Sequence, residues 1–124
     1  MIKLIYCLRR RAGIDRAAFQ HHWLTTHAPL VAAAAETLAV ARYVQCHTLD
    51  SELETALAGS RGCTVAAYDG VAELWWESEA ALAAALATPE GQRAGAVLLE
   101  DERQFIDFAG SAIFLTHENV IVAR

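Results

Sequence analysis

Apolar residues occupy both alternating faces of residues 2–8, IKLIYCL, and the segment is rich in β-formers. Such a pattern predicts a strand covered on both sides. After Gly13, Asp15 is placed to cap a helix through RAAFQHHWLTTH, with Phe19, Trp23 and His27 at successive i+4 steps on one stripe. Pro29 disfavours helical geometry at Ala28 and lacks a backbone donor, so the helix is expected to break or kink there before PLVAAAAETLA resumes it. Residues 40–49 alternate Ala41, Tyr43, Gln45 and His47 against Val40, Arg42, Val44 and Cys46, a second strand. Ser51 and Glu54 read as a capping box opening a short helix that Gly59 can end. Residues 71–77 form a third strand, with Glu73, Trp75 and Glu77 on one face and Ala72, Leu74 and Trp76 on the other. Ser78 caps a helix through EAALAAALA, and Thr88-Pro89 starts another over EGQRAGAVLLEDERQFIDF. The apolar seam of that last helix runs through Ala94, Leu98, Phe105 and Phe108, with Asp101 inside it. Residues 111–122 are the fourth strand expected.

The order β-α-β-β-α-β is the ferredoxin-like α+β plan, one antiparallel four-stranded sheet with its helices on one face. Strands apolar on both faces then leave the other face in need of cover. A second copy of the chain is the simplest cover, so a homodimer formed sheet to sheet is expected. At 124 residues the whole chain, 1–124, reads as one domain.

Composition narrows the partners. A net charge of −5 gives no broad positive surface for nucleic acid, and no apolar run is long enough for a bilayer. Arg9, Arg10 and Arg11 read as a solvated turn, with an anionic head group as the lesser alternative. The short apolar start precedes this basic cluster, the reverse of a signal peptide, so the cytoplasm is expected. Cys7, Cys46 and Cys63 are an odd set without C-x-x-C spacing and read as reduced residues.

HHWLTTHAP, residues 21–29, holds three of the five histidines. A helical zinc pair needs histidines at i and i+4, because each residue turns about 100° around the axis. Here the i+4 partners of His21 and His22 are threonines, and His22 and His27, five apart, should point to separated sides; no metal site is expected. His21 reads as solvent-facing and His22 as a flank residue. His27 shares the apolar stripe, where its ring nitrogens need partners. It is either a buried histidine bonded to a carbonyl freed by the kink or a general acid–base beside a pocket. Asp101, in an apolar seam, must be paired or hold a raised pKa, with His27 or an arginine as partner. Glu73, mid-strand, is the third candidate, and a solvated strand charge is its plainer reading. Tyr6, Tyr43, Trp75 and Trp76 offer an aromatic wall for a planar ligand or simply core. Trp23, and His117 on the fourth strand, complete the candidate ligand contacts. There is no G-x-S-x-G elbow, P-loop or G-x-G-x-x-G fingerprint, leaving acid–base chemistry on a bound small molecule.

RRRAGIDRAAFQHHWLTTHAPLV, YDGVAELWW and EDERQFID, taken in order, resemble the EthD family of the dimeric α/β-barrel superfamily. The resemblance implies a ferredoxin-like subunit that pairs its sheet with a second subunit's, and a cavity between helices and sheet. Relatives in the superfamily include cofactor-free quinol oxygenases, muconolactone isomerase and polyketide-tailoring dehydratases and cyclases, while other branches degrade haem. By position, His27 matches the family's histidine before proline, Glu73 its strand glutamate and Asp101 its helix aspartate. The doubled His21-His22 departs from the family pattern next to the tryptophan. Haem degradation is not expected, because only His27 and His117 are plausible axial ligands and nothing else in the sequence points to haem. The resulting expectation is a cofactor-free enzyme acting on a small apolar or aromatic molecule, of isomerase, dehydratase or oxygenase type. In it His27 is the base or acid, Asp101 orients it, and Glu73 is the second acid–base group. The alternatives are a non-catalytic binding or accessory protein and a purely structural network of the three polar residues.

Overall fold

The structure, a computed structural model, describes residues 1–124. Four antiparallel strands, β1 (Ile2–Leu8), β2 (Arg42–His47), β3 (Gly70–Trp76) and β4 (Ala112–Thr116), form one sheet in the order β2-β3-β1-β4. Between β1 and β2 run α1 (Arg16–His22), a five-residue π-turn (Trp23–His27) and α2 (Ala28–Ala34). A short α3 (Glu52–Ser60) lies between β2 and β3, and α4 (Glu79–Ala87) and α5 (Pro89–Glu102) precede β4. This is the ferredoxin-like α+β fold expected, with α3 as an addition on the β2–β3 connection.

The capping residues are those the sequence offers, although Ser51 caps alone and Glu54 does not close the expected box. Asp15 accepts from the Ala18 N–H at 2.8 Å, Ser51 from Leu53, Ser78 from Ala81 and Thr88 from Gly91. Register separates the two faces of the sheet. Tyr6 stands opposite Ala72, and Tyr43 opposite Leu74, on the face the helices cover. Ile5 and Val44 flank Glu73 on the other face, which Trp75 shares by alternation and Phe114 by pairing with Ile5. The core lies under the helices, where Leu8, Phe19, Trp23, Ala72, Phe105 and Ile106 are buried together.

Three elements differ from expectation. The helix does not break at Pro29. Its missing N–H and crowding ring exclude an unbroken α-helix, and the chain instead widens by one residue, so that Ala28 N–H reaches the Trp23 carbonyl five residues back. The last helix stops at Glu102 instead of running to Phe108, because residues 105–107 pair across Arg9–Arg11. Arg11 donates to the Phe105 carbonyl at 2.8 Å, and Asp107 to that of Arg9 at 2.9 Å. Phe105 is thus buried from outside the helix, while Phe108 is partly exposed. β4 ends at Thr116, not at residue 122, because Thr116 stands opposite Lys3 and β1 begins at Ile2. Beyond it the chain has almost no strand left to pair with. No helix is long and apolar enough to cross a membrane.

Candidate functional site

His27 and Asp101 meet. The His27 Nδ1 lies 2.8 Å from Asp101 Oδ2, and the His27 ring is 6% exposed as a residue. A carboxylate only accepts, so the Nδ1 carries the hydrogen and donates it, which leaves the Nε2 lone pair free. That Nε2 bonds to no protein atom and is not sealed off, and His27 forms part of the wall of a cavity of about 80 Å³. Burial lowers the His27 pKa, against the opposing pull of Asp101, so the neutral imidazole is favoured.

His22 also reaches Asp101, with Nε2 at 3.1 and 3.2 Å from its two oxygens. The expectation that His22 and His27 diverge holds for an α-helix and fails here. The π-turn closes at i→i+5, which brings residues five apart round to one side. His22, its side chain 30% exposed, links the half-buried Asp101 to solvent, and His21 is exposed as expected. Both rings tilt against Phe105, at 4.7 and 5.2 Å between centroids.

The cavity lies between helices and sheet. Its wall includes Tyr6, Trp23, Tyr43, Leu74, Leu98 and Glu102. Three of the expected ligand contacts, Tyr6, Trp23 and Tyr43, therefore share it with His27. Trp23 is fixed on three sides: it stacks on His47 at 4.6 Å, its carbonyl accepts from Gln45 at 2.9 Å, and its ring lies against Gly70. Gln45 also donates to the Tyr43 hydroxyl at 2.8 Å, which leaves that hydroxyl's own hydrogen available to a neighbour. Tyr43 in addition borders an outer depression of about 390 Å³ with Leu24, Ala28, Gln45 and His47.

Glu73 is elsewhere. It sits on the uncovered face, ion-paired to Lys3 and accepting from the Cys46 thiol at 3.0 Å, so it does not share a cavity with His27. Trp75 is on that same far face, between the cations of Lys3 and Arg42 at 4.7 and 4.9 Å, with its indole N–H donated to Glu118. His117 lies exposed just past the end of β4. The alternation of β3 had already put Glu73 and Trp75 opposite Leu74; what it could not give is which face the helices cover.

The acidic group that does face the cavity is Glu102, which the sequence reading passed over. Burial raises its carboxyl to about 7; the approaching Tyr6 hydroxyl offsets part of the rise and the charge of Asp101 adds to it. Burial and Glu102 together push the Tyr6 hydroxyl upward as well. A signal was present: Glu102 is four residues past Leu98 and four before Ile106, and all three line the cavity. It was masked by the run Glu100-Asp101-Glu102, which reads as a solvated helix end. No three His, Cys, Asp or Glu side chains are grouped so as to hold a metal ion. The site can therefore offer an oriented imidazole base, a carboxyl poised near neutrality and phenolic donors around an apolar space.

Residues 11–109 match the model of the EthD domain. The chain superposes on an ethyl tert-butyl ether D (EthD) family protein from Bacillus halodurans C-125 with a TM-score of 0.60 and 22% identity, covering 96% of this chain and 99% of that one. It is also similar to SnoaB, a cofactor-independent oxygenase from Streptomyces nogalater, with a TM-score of 0.57, 15% identity and 99% and 97% of the two chains covered. A dimeric ferredoxin-like protein of unknown function from Jannaschia sp. CCS1 gives a TM-score of 0.57 at 16% identity, with 94% and 98% covered. No curated protein matches the chain in sequence.

Proposed function

Because the chain belongs to the EthD family, we propose that it is a cofactor-free enzyme that moves protons on a small apolar or aromatic molecule held between helices and sheet. The observation that carries this reading is the free Nε2 of a buried, Asp101-oriented His27 sharing one cavity with Glu102. Neutral His27 takes a proton from carbon next to a carbonyl, or from a carbon losing water at its neighbour. Asp101 holds the ring and stabilises the imidazolium that forms, as a carboxylate behind a histidine does in other enzymes. Glu102, protonated up to about pH 7, faces the developing oxyanion or leaving hydroxyl as the donor, with the Tyr43 hydroxyl beside it. His22, the second ring on Asp101, gives the proton a way to solvent.

A cavity of about 80 Å³ holds two or three waters at roughly 30 Å³ each. Substrate binding thus requires Tyr43, which borders both spaces, to swing and join the cavity to the outer depression. The similarity to SnoaB favours an oxygenase among the possible reaction types, and the dimeric ferredoxin-like relative favours a homodimer closed over the uncovered sheet face.

The test is a thermal-shift screen against phenols, quinones, lactones and polyketide-like aromatics, with each sample assayed for product by mass spectrometry. A ligand at a hundred times its Kd adds about 2.7 kcal/mol, enough to raise the melting temperature by several degrees. A shift with product, abolished by His27→Ala, supports the enzyme. A second reading, a non-catalytic binding protein, is favoured by the nine apolar residues among the eleven lining the cavity; a shift without product would select it.

A further inference from the structure

Four of the chain's ten basic residues, Arg9, Arg10, Arg11 and Arg16, line one cleft of about 590 Å³ at the end of β1. They divide into two pairs. Arg10 and Arg16 are bound to buried Asp69, at 2.7 and 3.1 Å, and Arg16 also to Asp50 at 3.2 Å. Their role is structural, since Asp69 additionally accepts from the Arg10 N–H and so ties the turn after β1 to the start of β3. Arg9 and Arg11 pair with no carboxylate. Arg9 donates to the carbonyls of Ala66 and Ala67, at 2.9 and 3.2 Å, with its guanidinium 4.2 Å from the centre of the Tyr68 ring. Arg11 donates to the carbonyl of Arg103 at 3.0 Å.

A carbonyl fixes a guanidinium in place without cancelling its charge. Of the five N–H donors on each, Arg9 commits two and Arg11 one. The only carboxylates on the cleft wall are Asp69, already engaged, and Asp107, which forms no ion pair. Four guanidiniums against two carboxylates leave the cleft wall with an excess of two positive charges, on a chain whose net charge is −5. Charge held in position by other bonds loses little freedom when a ligand arrives, the condition for tight recognition of an oxyanion by arginine. The buried side chains of Leu8 and Ile106 line the His27 cavity, and their sequence neighbours Arg9 and Asp107 line this cleft, so the two spaces share the same chain segments as walls.

We propose that this cleft is a second binding site, for the phosphate or pyrophosphate group of a small metabolite, gripped by Arg9 and Arg11. Its volume leaves room for an organic portion beyond the anion.

The test is calorimetric titration of the intact protein with inorganic pyrophosphate at low ionic strength, beside ADP and succinate. Saturable binding of pyrophosphate and ADP below about 1 mM is expected, weakening as salt is raised, with succinate at least about tenfold weaker. In the double variant Arg9→Gln/Arg11→Gln the affinity should fall by at least about tenfold while the melting temperature stays close to that of the parent. His27→Ala should bind pyrophosphate as the parent does. No heat from pyrophosphate at about 10 mM, which is weaker than any useful site, would overturn the proposal. So would unchanged affinity in the double variant, equal binding of succinate, or loss of pyrophosphate binding in His27→Ala.

Discussion

Asp101 accepts from two imidazoles at once, so its loss strands both His22 and His27. Asp101→Ala is expected to cost about 2–4 kcal/mol, the range for a buried polar partner left alone, read from urea unfolding at pH 7. Glu102 gives a pH signature of definite sign. Its folded pKa of about 7 stands above its ordinary 4.5, so between those values the folded state holds a proton that the unfolded chain has released. Stability from this group is complete below 4.5 and declines as pH rises to about 7. Glu102→Gln, which cannot ionise, should therefore gain up to a few kcal/mol over the parent at pH 8 and nothing at pH 4.5, in paired melts across that range. His27 runs the other way: its lowered pKa makes its contribution fall as pH drops below 6.5. His27 and Asp101 were legible as awkward residues on apolar stripes. Glu102 was not, because an acidic run at a helix end looks the same whether its last member faces water or a cavity.

The helix with the π-turn is the element that makes the site. An α-helix would spread His22 and His27 around its axis, whereas the widened turn puts both on Asp101 and leaves the Trp23 carbonyl accepting from Gln45 as well as from Ala28. Pro29 marks the place in the sequence, but break, kink and bulge are all answers to a missing N–H. The choice falls to packing, which holds Phe19, Trp23 and His27 against the core. Opposite Trp23, the first residue of β3 must be small. A Cβ on Gly70 would sit 2.4 Å from the Trp23 ring, and Trp23 is 1% exposed with nowhere to move. Gly70→Ala is thus expected to destabilise the protein by about 1–3 kcal/mol in denaturant unfolding, as overpacking does. Strand 3 and the helix caps were readable because a period of two and a capping hydroxyl are local properties.

At the scale of the molecule, one face of the sheet lacks cover. Phe114 stands out there, 49% exposed opposite Ile5, and the tail beyond Thr116 leaves Val120, Ile121 and Val122 unpacked. For the proposed homodimer, light scattering should give twice the 13.5 kDa of the chain, and Phe114→Asp, placing a charge in the joint, should shift it toward a monomer. Glu73 and Trp75 belong to this face, where Lys3 engages both, so their part lies in that surface and not in the His27 cavity. Periodicity, capping residues and Pro29 by themselves determined the order of elements, the α+β fold and the polar residues that burial would trouble, since each depends on neighbours within a few positions along the chain. Only the tertiary structure decided which sheet face the helices cover, that Glu102 rather than Glu73 lines the cavity of His27, and where α5 and β4 stop. Those outcomes rest on contacts between residues some seventy to a hundred positions apart, such as His27 with Asp101 and Arg9 with Asp107, which no local pattern encodes.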